Sequence, residues 1–391
     1  MFYRKFFNLS LAFLVVTSFQ VHAQSEKPIV RDELVKMVFQ LQSQPQMKDE
    51  IISQLRRRGI GFELTDGIRS LVASKSGNNA MLRRTLEEAE RRRVNPVASA
   101  LPPTSETRQI LERSREATLT ATEKMPDFLV KQVITRNYAL GNSHNWIPND
   151  YLTVAVSFRE GIGEKYKVLS VNGVAQTASA SGGTTGETDN GQNKLQQSEE
   201  RNSYEQLGGS SSTGEFVSIL AELFTNSSEA KFQAVDTDTI NNRRGIVYDY
   251  EIKQENSRHR IKYGKYDGNE ITVGTRGRVW IDRENYRILR LESIATEIPS
   301  DYPVTEANNT IDYDWVIIAD KEYLLPVRAV VEISAGKLAR SYQTRNEIRF
   351  RNYQKYGSEV QLLDDVPDLS KDNKNSGDEP PPPPPRMKPK P

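Results

Sequence analysis

Between Ile29 and about Arg93 the apolar residues recur at the 3.6-residue period of helices. Leu34, Met37, Val38 and Leu41 share one face, Met47, Ile51, Ile52 and Leu55 share another, and Gly59 ends the second run. Thr65 is placed to cap a short helix carrying Ile68, Leu71 and Val72, and Asn79 to start a last one carrying Met81, Leu82 and Leu86. Phe62 and Leu64 are the buried loop residues between them. The pattern predicts a small all-helical module over 29–95, of about four short helices, followed by a linker at 96–104 in which Pro96, Pro102 and Pro103 stand among small residues.

A helix is expected from about Ser105 to Lys124, and Pro126 marks the point where the period changes from 3.6 to 2. Beyond it apolar and polar residues alternate: Leu152, Val154, Val156, Phe158; then Ile246, Tyr248, Tyr250, Ile252; then Val279, Ile281; then Leu289, Leu291. The same alternation continues through Ile311, Tyr313, Trp315, Ile317, through Leu325, Val327, Ala329, Val331, Ile333, and ends at Ile348 and Phe350. One apolar face per strand is what an antiparallel sheet with one solvated side requires. Trp315 falls with the core residues Ile311 and Ile317, whereas Trp280 falls on the polar face with Arg276, Arg278 and Asp282, where a large aromatic marks a rim, a contact surface or packing under a loop.

Two polar segments interrupt this body. Residues 177–202 are Gly, Ser, Thr, Asn and Gln with almost nothing to bury, and the tail 364–391 carries six consecutive prolines from Pro380 to Pro385 ahead of Arg386, Lys388 and Lys390. Both are expected to be disordered, the tail with a polyproline II stretch. Between the strands one helix stands out. Ser212 and Glu215 form a capping box, and Phe216, Ile219, Leu220, Leu223 and Phe224 fall at i, i+3, i+4, i+7 and i+8. Such a stripe needs an apolar surface to lie on, and the inner face of the sheet is the large one available.

Composition sets the surroundings. The 391 residues hold 53 Lys and Arg against 52 Asp and Glu, a net charge of +1, and no Cys. That balance gives no global field for nucleic acid or an anionic bilayer, and the lack of Cys excludes disulfides, thiolate metal sites and an acylated N-terminal cysteine. Arg4 and Lys5, the apolar run from Leu9 to Phe19 and Val21-His22-Ala23 read as a signal peptide over 1–23, cleaved before Gln24, because the run is about half the roughly 20 residues that span a bilayer. A mature chain without a transmembrane segment, periplasmic or secreted, is the expectation.

Catalytic chemistry is hard to find. His144 and His259 are the two histidines after the signal peptide, far apart and without a partner at ligand spacing. Asp312 and Asp314, like Asp249 and Glu251, alternate on one strand face and form possible acid–base pairs, yet each pair lies opposite the apolar face, where solvation is the simpler account. No phosphate-binding loop, dinucleotide fingerprint or nucleophile elbow is present. The helical module carries 13 basic against 9 acidic residues from Ile29 to Asn95, but basic helix ends complement the helix dipole, and an exported chain seldom meets DNA. No metal, no cofactor and no nucleic acid are expected.

The order of a helix, Pro126-Asp127-Phe128 with a strand from Leu129 to Tyr138, Gly277-Arg278-Val279-Trp280-Ile281-Asp282, Ile288-Leu289-Arg290-Leu291-Glu292 and Tyr323-Leu324-Leu325-Pro326-Val327-Arg328 resembles the outer-membrane lipoprotein-sorting and lipoprotein-localisation-factor (Lol-type) superfamily over about 105–360. Tyr204-Glu205-Gln206-Leu207-Gly208-Gly209 through Gly214-Glu215-Phe216 resembles uncharacterised exported bacterial proteins sharing this body. The resemblance implies an incomplete antiparallel β-barrel, with helices across its mouth and an apolar cavity that receives acyl chains in the carriers. The fold class expected is therefore α+β: a half-open antiparallel β-barrel of about 9–11 strands over 105–363 with helices on its concave face, preceded by the helical module. The leading expectation for function is a carrier of lipid or an acylated protein, its cavity lined by Phe216, Ile219, Leu220, Leu223, Phe224, Tyr313, Trp315 and Val327. The alternative is a non-enzymatic scaffold with a self-filled core, meeting protein partners through the helical module or the Pro-rich tail. An apolar pocket of at least ~300 Å³ favours the first, and a close-packed interior favours the second.

Overall fold

The computed structural model describes residues 27–141, 143–176, 216, 218–263, 270–336 and 341–356. Residues 1–23, read from the sequence as a signal peptide, the insertion 177–202, Ser212 and Glu215, expected to form a capping box, the Tyr204–Gly209 segment and the tail 364–391 lie outside those residues. Chain contacts divide the protein between Val94 and Asn95 into two units.

The first unit consists of α1 (Arg31–Gln40), α2 (Lys48–Arg58), α3 (Asp66–Lys75) and α4 (Ala80–Val94). Ile29, Leu34, Val38, Ile51, Leu55, Ile68, Val72, Leu82 and Leu86 meet in one core, so the apolar stripes converge as their period requires. The Oδ1 of Asn79 accepts the Leu82 N–H at 2.9 Å and caps α4. Gly59, at φ +66°, turns the chain out of α2, so that Gly59 and Gly61 flank a parallel bridge from Ile60 to Ile29.

The second unit opens with α5 (Thr104–Glu123) and continues through β1 (Phe128–Leu140), β2 (Ile147–Arg159), β3 (Gly163–Val171), β4 (Val174–Ala175) and α6 (Ser218–Phe224). Then come β5 (Lys231–Ile240), β6 (Arg243–Ile252), β7 (Arg260–Lys262), β8 (Glu270–Thr272), β9 (Gly274–Asp282), β10 (Ile288–Thr296), β11 (Val304–Ile318), β12 (Lys321–Ala335) and β13 (Tyr342–Lys355). Eleven strands form one antiparallel sheet in the order β4-β3-β2-β1-β13-β12-β11-β10-β9-β6-β5, and β7 and β8 make a separate ladder. The sheet is open, with β4 and β5 as its edges, and the first and last long strands pair at its middle. The protein is thus α+β, as alternation and helical period together imply.

Two neighbouring lines of residues run across the inner face. Tyr248, Val279, Leu291, Ile311, Ala329, Ile348, Ile134 and Leu152 stand in register on eight successive strands and are all apolar or aromatic. This line is the floor of the main core, against which α5 brings Ile110, and α6 with the preceding Phe216 brings Leu220, Leu223 and Phe224. The next line reads Tyr250, Gly277, Ser293, Asn309, Val331, Asn346, Arg136 and Asp150. The apolar floor therefore ends at a polar border along one side.

Candidate functional site

Of the eight residues expected to line an interior, Phe216, Leu220, Leu223, Phe224 and Tyr313 are buried in the main core, and Ile219 packs partly buried against it. The ring of Phe216 lies 5.4 Å from that of Phe128 and 5.2 Å from that of Phe350, centroid to centroid. Phe224 stacks on Phe232 at 5.6 Å. Phe216 sits in a turn just ahead of α6, so the stripe extends beyond the helix that carries its other members.

Trp315 and Val327 correct the alternation reading. The pairing of β11 with β12 slips between Asp312↔Arg328 and Tyr313↔Pro326, leaving Val327 as the extra residue of a bulge. Pro326 has no N–H to give the ladder, which is why the irregularity falls there. Leu325 and Pro326 are consecutive buried residues, and Val327 is only half-buried. Past the bulge Ile317 is 66% exposed, and Trp315 is half-buried outside the main core with its ring 5.9 Å from the Arg287 guanidinium. It is Trp280, on the opposite face, that is fully buried, in a small cluster with Val247 and Leu289. Its Nε1–H donates to Asp238 at 3.0 Å.

That outer face also accounts for the carboxylate pairs. Asp312 accepts from Arg290 at 2.5 Å and lies 3.7 Å from Arg328, and Asp249 accepts from the buried Arg278 at 3.0 Å. Arginine engages one carboxylate of each pair, on the side away from the apolar floor. Among the described residues no group of three His, Cys, Asp or Glu is arranged to hold a metal ion, and no helix is long and apolar enough to cross a membrane.

On the inner side α6 is tied at its polar edge by Glu222, whose carboxylate accepts from Ser257 Oγ at 3.1 Å and from the Arg258 N–H at 2.5 Å. Beside this latch a cavity lies between α6 and the sheet, lined by Ile219, Leu223, Tyr250, His259, Leu291 and Ser293 among others. It leaves about 10 Å³ for a water-sized sphere, room for a single water. Burial pushes the Tyr250 hydroxyl up, reinforced by Glu222 and opposed by the hydrogen bond with Ser293. Burial lowers the His259 pKa against the opposing pull of Glu222.

Along the polar border Arg136 donates to both carboxylate oxygens of Asp150, at 2.6 and 2.5 Å, with side chains only 7% and 15% exposed. Two lines in from this border, beyond Ile134, stands Gln132. It is 0% exposed, between Phe350 on β13 and Val154 on β2, and neither amide atom has a hydrogen-bond partner among the described residues. Each such group costs about 1–3 kcal/mol. Sequence reasoning passed over Gln132, although the signal was present: the inward positions Phe128, Val130, Gln132, Ile134 interrupt an apolar run with one amide.

No family model matches the chain and no curated protein does. Among solved structures it is similar to a DUF1329 family protein from Desulfovibrio piger, at 10% identity and a TM-score of 0.25, over 65% of this chain and 95% of that one. It is also similar to a chain of the MucA/MucB complex of Pseudomonas aeruginosa, at 8% identity and a TM-score of 0.16, over 63% of this chain and 100% of that one. Against MucB in complex with MucA(peri) the identity is 9% and the TM-score 0.17, over 64% and 100% of the two chains. Likenesses this distant carry no argument about function.

Proposed function

We propose that this is an exported, non-catalytic binding protein that takes an apolar ligand, a lipid or a lipoprotein acyl chain, on the inner face of its sheet in place of the 216–224 segment. The observation that carries this reading is the seat of that segment: Phe216, Leu220, Leu223 and Phe224 cover an apolar floor continuous over eight strands. What holds the segment is apolar contact, which a hydrocarbon chain reproduces, together with the Glu222 latch at its edge. The resemblance of the strand motifs to those of lipoprotein carriers supports the same class of ligand. With room for one water beside α6, the form described here is the closed one, and binding displaces the segment.

The small cavity favours a second reading, in which the core is permanently self-filled and the protein is a scaffold acting through the helical unit or the Pro-rich tail. Native mass spectrometry of the full chain purified from a membrane-containing lysate separates them. A co-purified lipid is expected. A bare polypeptide mass that stays bare after incubation with monopalmitoylglycerol contradicts binding and leaves the scaffold.

A further inference from the structure

We infer that Gln132 is the polar anchor of the ligand site, and that the ligand it selects is an amphiphile with an uncharged hydrogen-bonding linkage or head, such as an ester, amide or hydroxyl. The inference rests on the binding reading above and names the chemistry of what is bound. Gln132 alternates on β1 with Val130 and Ile134, both in the main core, and its cross-strand neighbours Phe350 and Val154 belong to the same core. An apolar side chain would pack there without the desolvation that an amide incurs. A group kept in place against stability, with neither end satisfied by the described residues, is available to a molecule that enters.

Its position fits that use. Phe350, the strand neighbour of Gln132, carries the ring on which Phe216 packs at 5.2 Å. When the 216–224 segment leaves the floor, the surface around Gln132 is uncovered. Ser114 stands on the α5 face that brings Ile110 into this core, is itself 0% exposed, and its Oγ has no partner among the described residues. Both walls of the core thus hold a neutral polar group with unused hydrogen-bonding capacity.

The chemistry of the ligand follows from the amide. Whichever way it is turned, Gln132 offers N–H donors and a carbonyl acceptor, so it suits an ester carbonyl, an amide or a hydroxyl. A carboxylate or phosphate at this depth would need a counter-charge, and the arginine at the nearby border, Arg136, already binds both oxygens of Asp150. A plain hydrocarbon would leave the amide as unsatisfied as before.

The test measures binding of radiolabelled 1-monopalmitoylglycerol, palmitate and hexadecane to the full mature chain and to Gln132→Leu by equilibrium gel filtration, with melting temperatures alongside. Wild type is expected to prefer monopalmitoylglycerol to palmitate. Gln132→Leu should melt higher, bind hexadecane as before, and lose about tenfold in affinity for monopalmitoylglycerol, the size of one neutral hydrogen bond. If both uncharged probes bind and the variant changes neither or changes them equally, Gln132 is not the anchor, although the binding reading stands. If wild type binds no probe, the binding reading fails and takes the anchor with it. Gln132→Met, closer in shape, repeats the measurement if the Leu variant does not fold. Failure of both to fold makes Gln132 a structural residue and overturns the inference.

Discussion

Gly277 on β9 runs so close to Glu292 on β10 that a Cβ at position 277 would overlap the Glu292 carbonyl oxygen. The two strands pair in register across this point, with Gly277 opposite Ser293 in the polar border and Arg278 opposite Glu292 on the outer face. A side chain at 277 can be admitted only by moving the backbone of an interior strand of the sheet. Gly277→Ala should destabilise the protein by about 1–3 kcal/mol, the usual cost of overpacking, read as a lower midpoint in urea with an unchanged slope.

The Arg136–Asp150 pair is buried enough for its two halves to behave asymmetrically. Asp150→Ala removes the carboxylate that binds a largely buried guanidinium through two hydrogen bonds and should cost about 3–5 kcal/mol. Adding Arg136→Met to that variant should recover much of the loss, because the apolar replacement has no charge to desolvate. A double-mutant cycle by urea denaturation checks this, and additive losses would contradict it.

Phe224 is fully buried and stacked on Phe232, so it is one of the apolar residues that hold the 216–224 segment in the main core. Phe224→Ala should cost about 3–5 kcal/mol if the segment stays seated during unfolding. A much smaller loss, together with faster amide exchange confined to 218–224, would show the segment lifting off by itself before the sheet unfolds.

Stability should fall with acid around His259. Its pKa is held below the ordinary 6.5 by burial, so on lowering the pH the unfolded chain takes up a proton before the folded one does. Where the unfolded state binds more protons, stability drops as pH drops, and the contribution is fully present only above the ordinary value. Unfolding free energies between about pH 7 and 5 should decline less steeply for His259→Gln than for wild type.

Much of this architecture is legible in the chain. The four stripes of the helical unit, the change of period at Pro126 and the alternation of strands such as Ile246–Ile252 depend on local pattern, and each appears where its period puts it. Val327 was misplaced because alternation assumes a strand without an extra residue, and the bulge beside Pro326 adds one to β12, whereas Trp315, on the unbulged side, lies past the end of the main core. Trp280 is assigned correctly to the polar face, yet its burial depends on Val247 and Leu289 from β6 and β10, which no single segment reveals. The polar border is a property of register between eight strands. Residues such as Asn309 and Asn346 look like ordinary strand polar residues until the pairing lines them up.

The exchange of the 216–224 segment for a ligand is tested most directly by hydrogen exchange at the amides of 218–224, followed with and without monopalmitoylglycerol. If ligand takes the place of the segment, exchange there should rise at least tenfold on addition of the lipid while protection in the β1 and β13 strands is kept or increased. Unchanged or slower exchange at 218–224 with lipid demonstrably bound would mean that the segment stays on the floor, and the account of how this protein binds would be wrong.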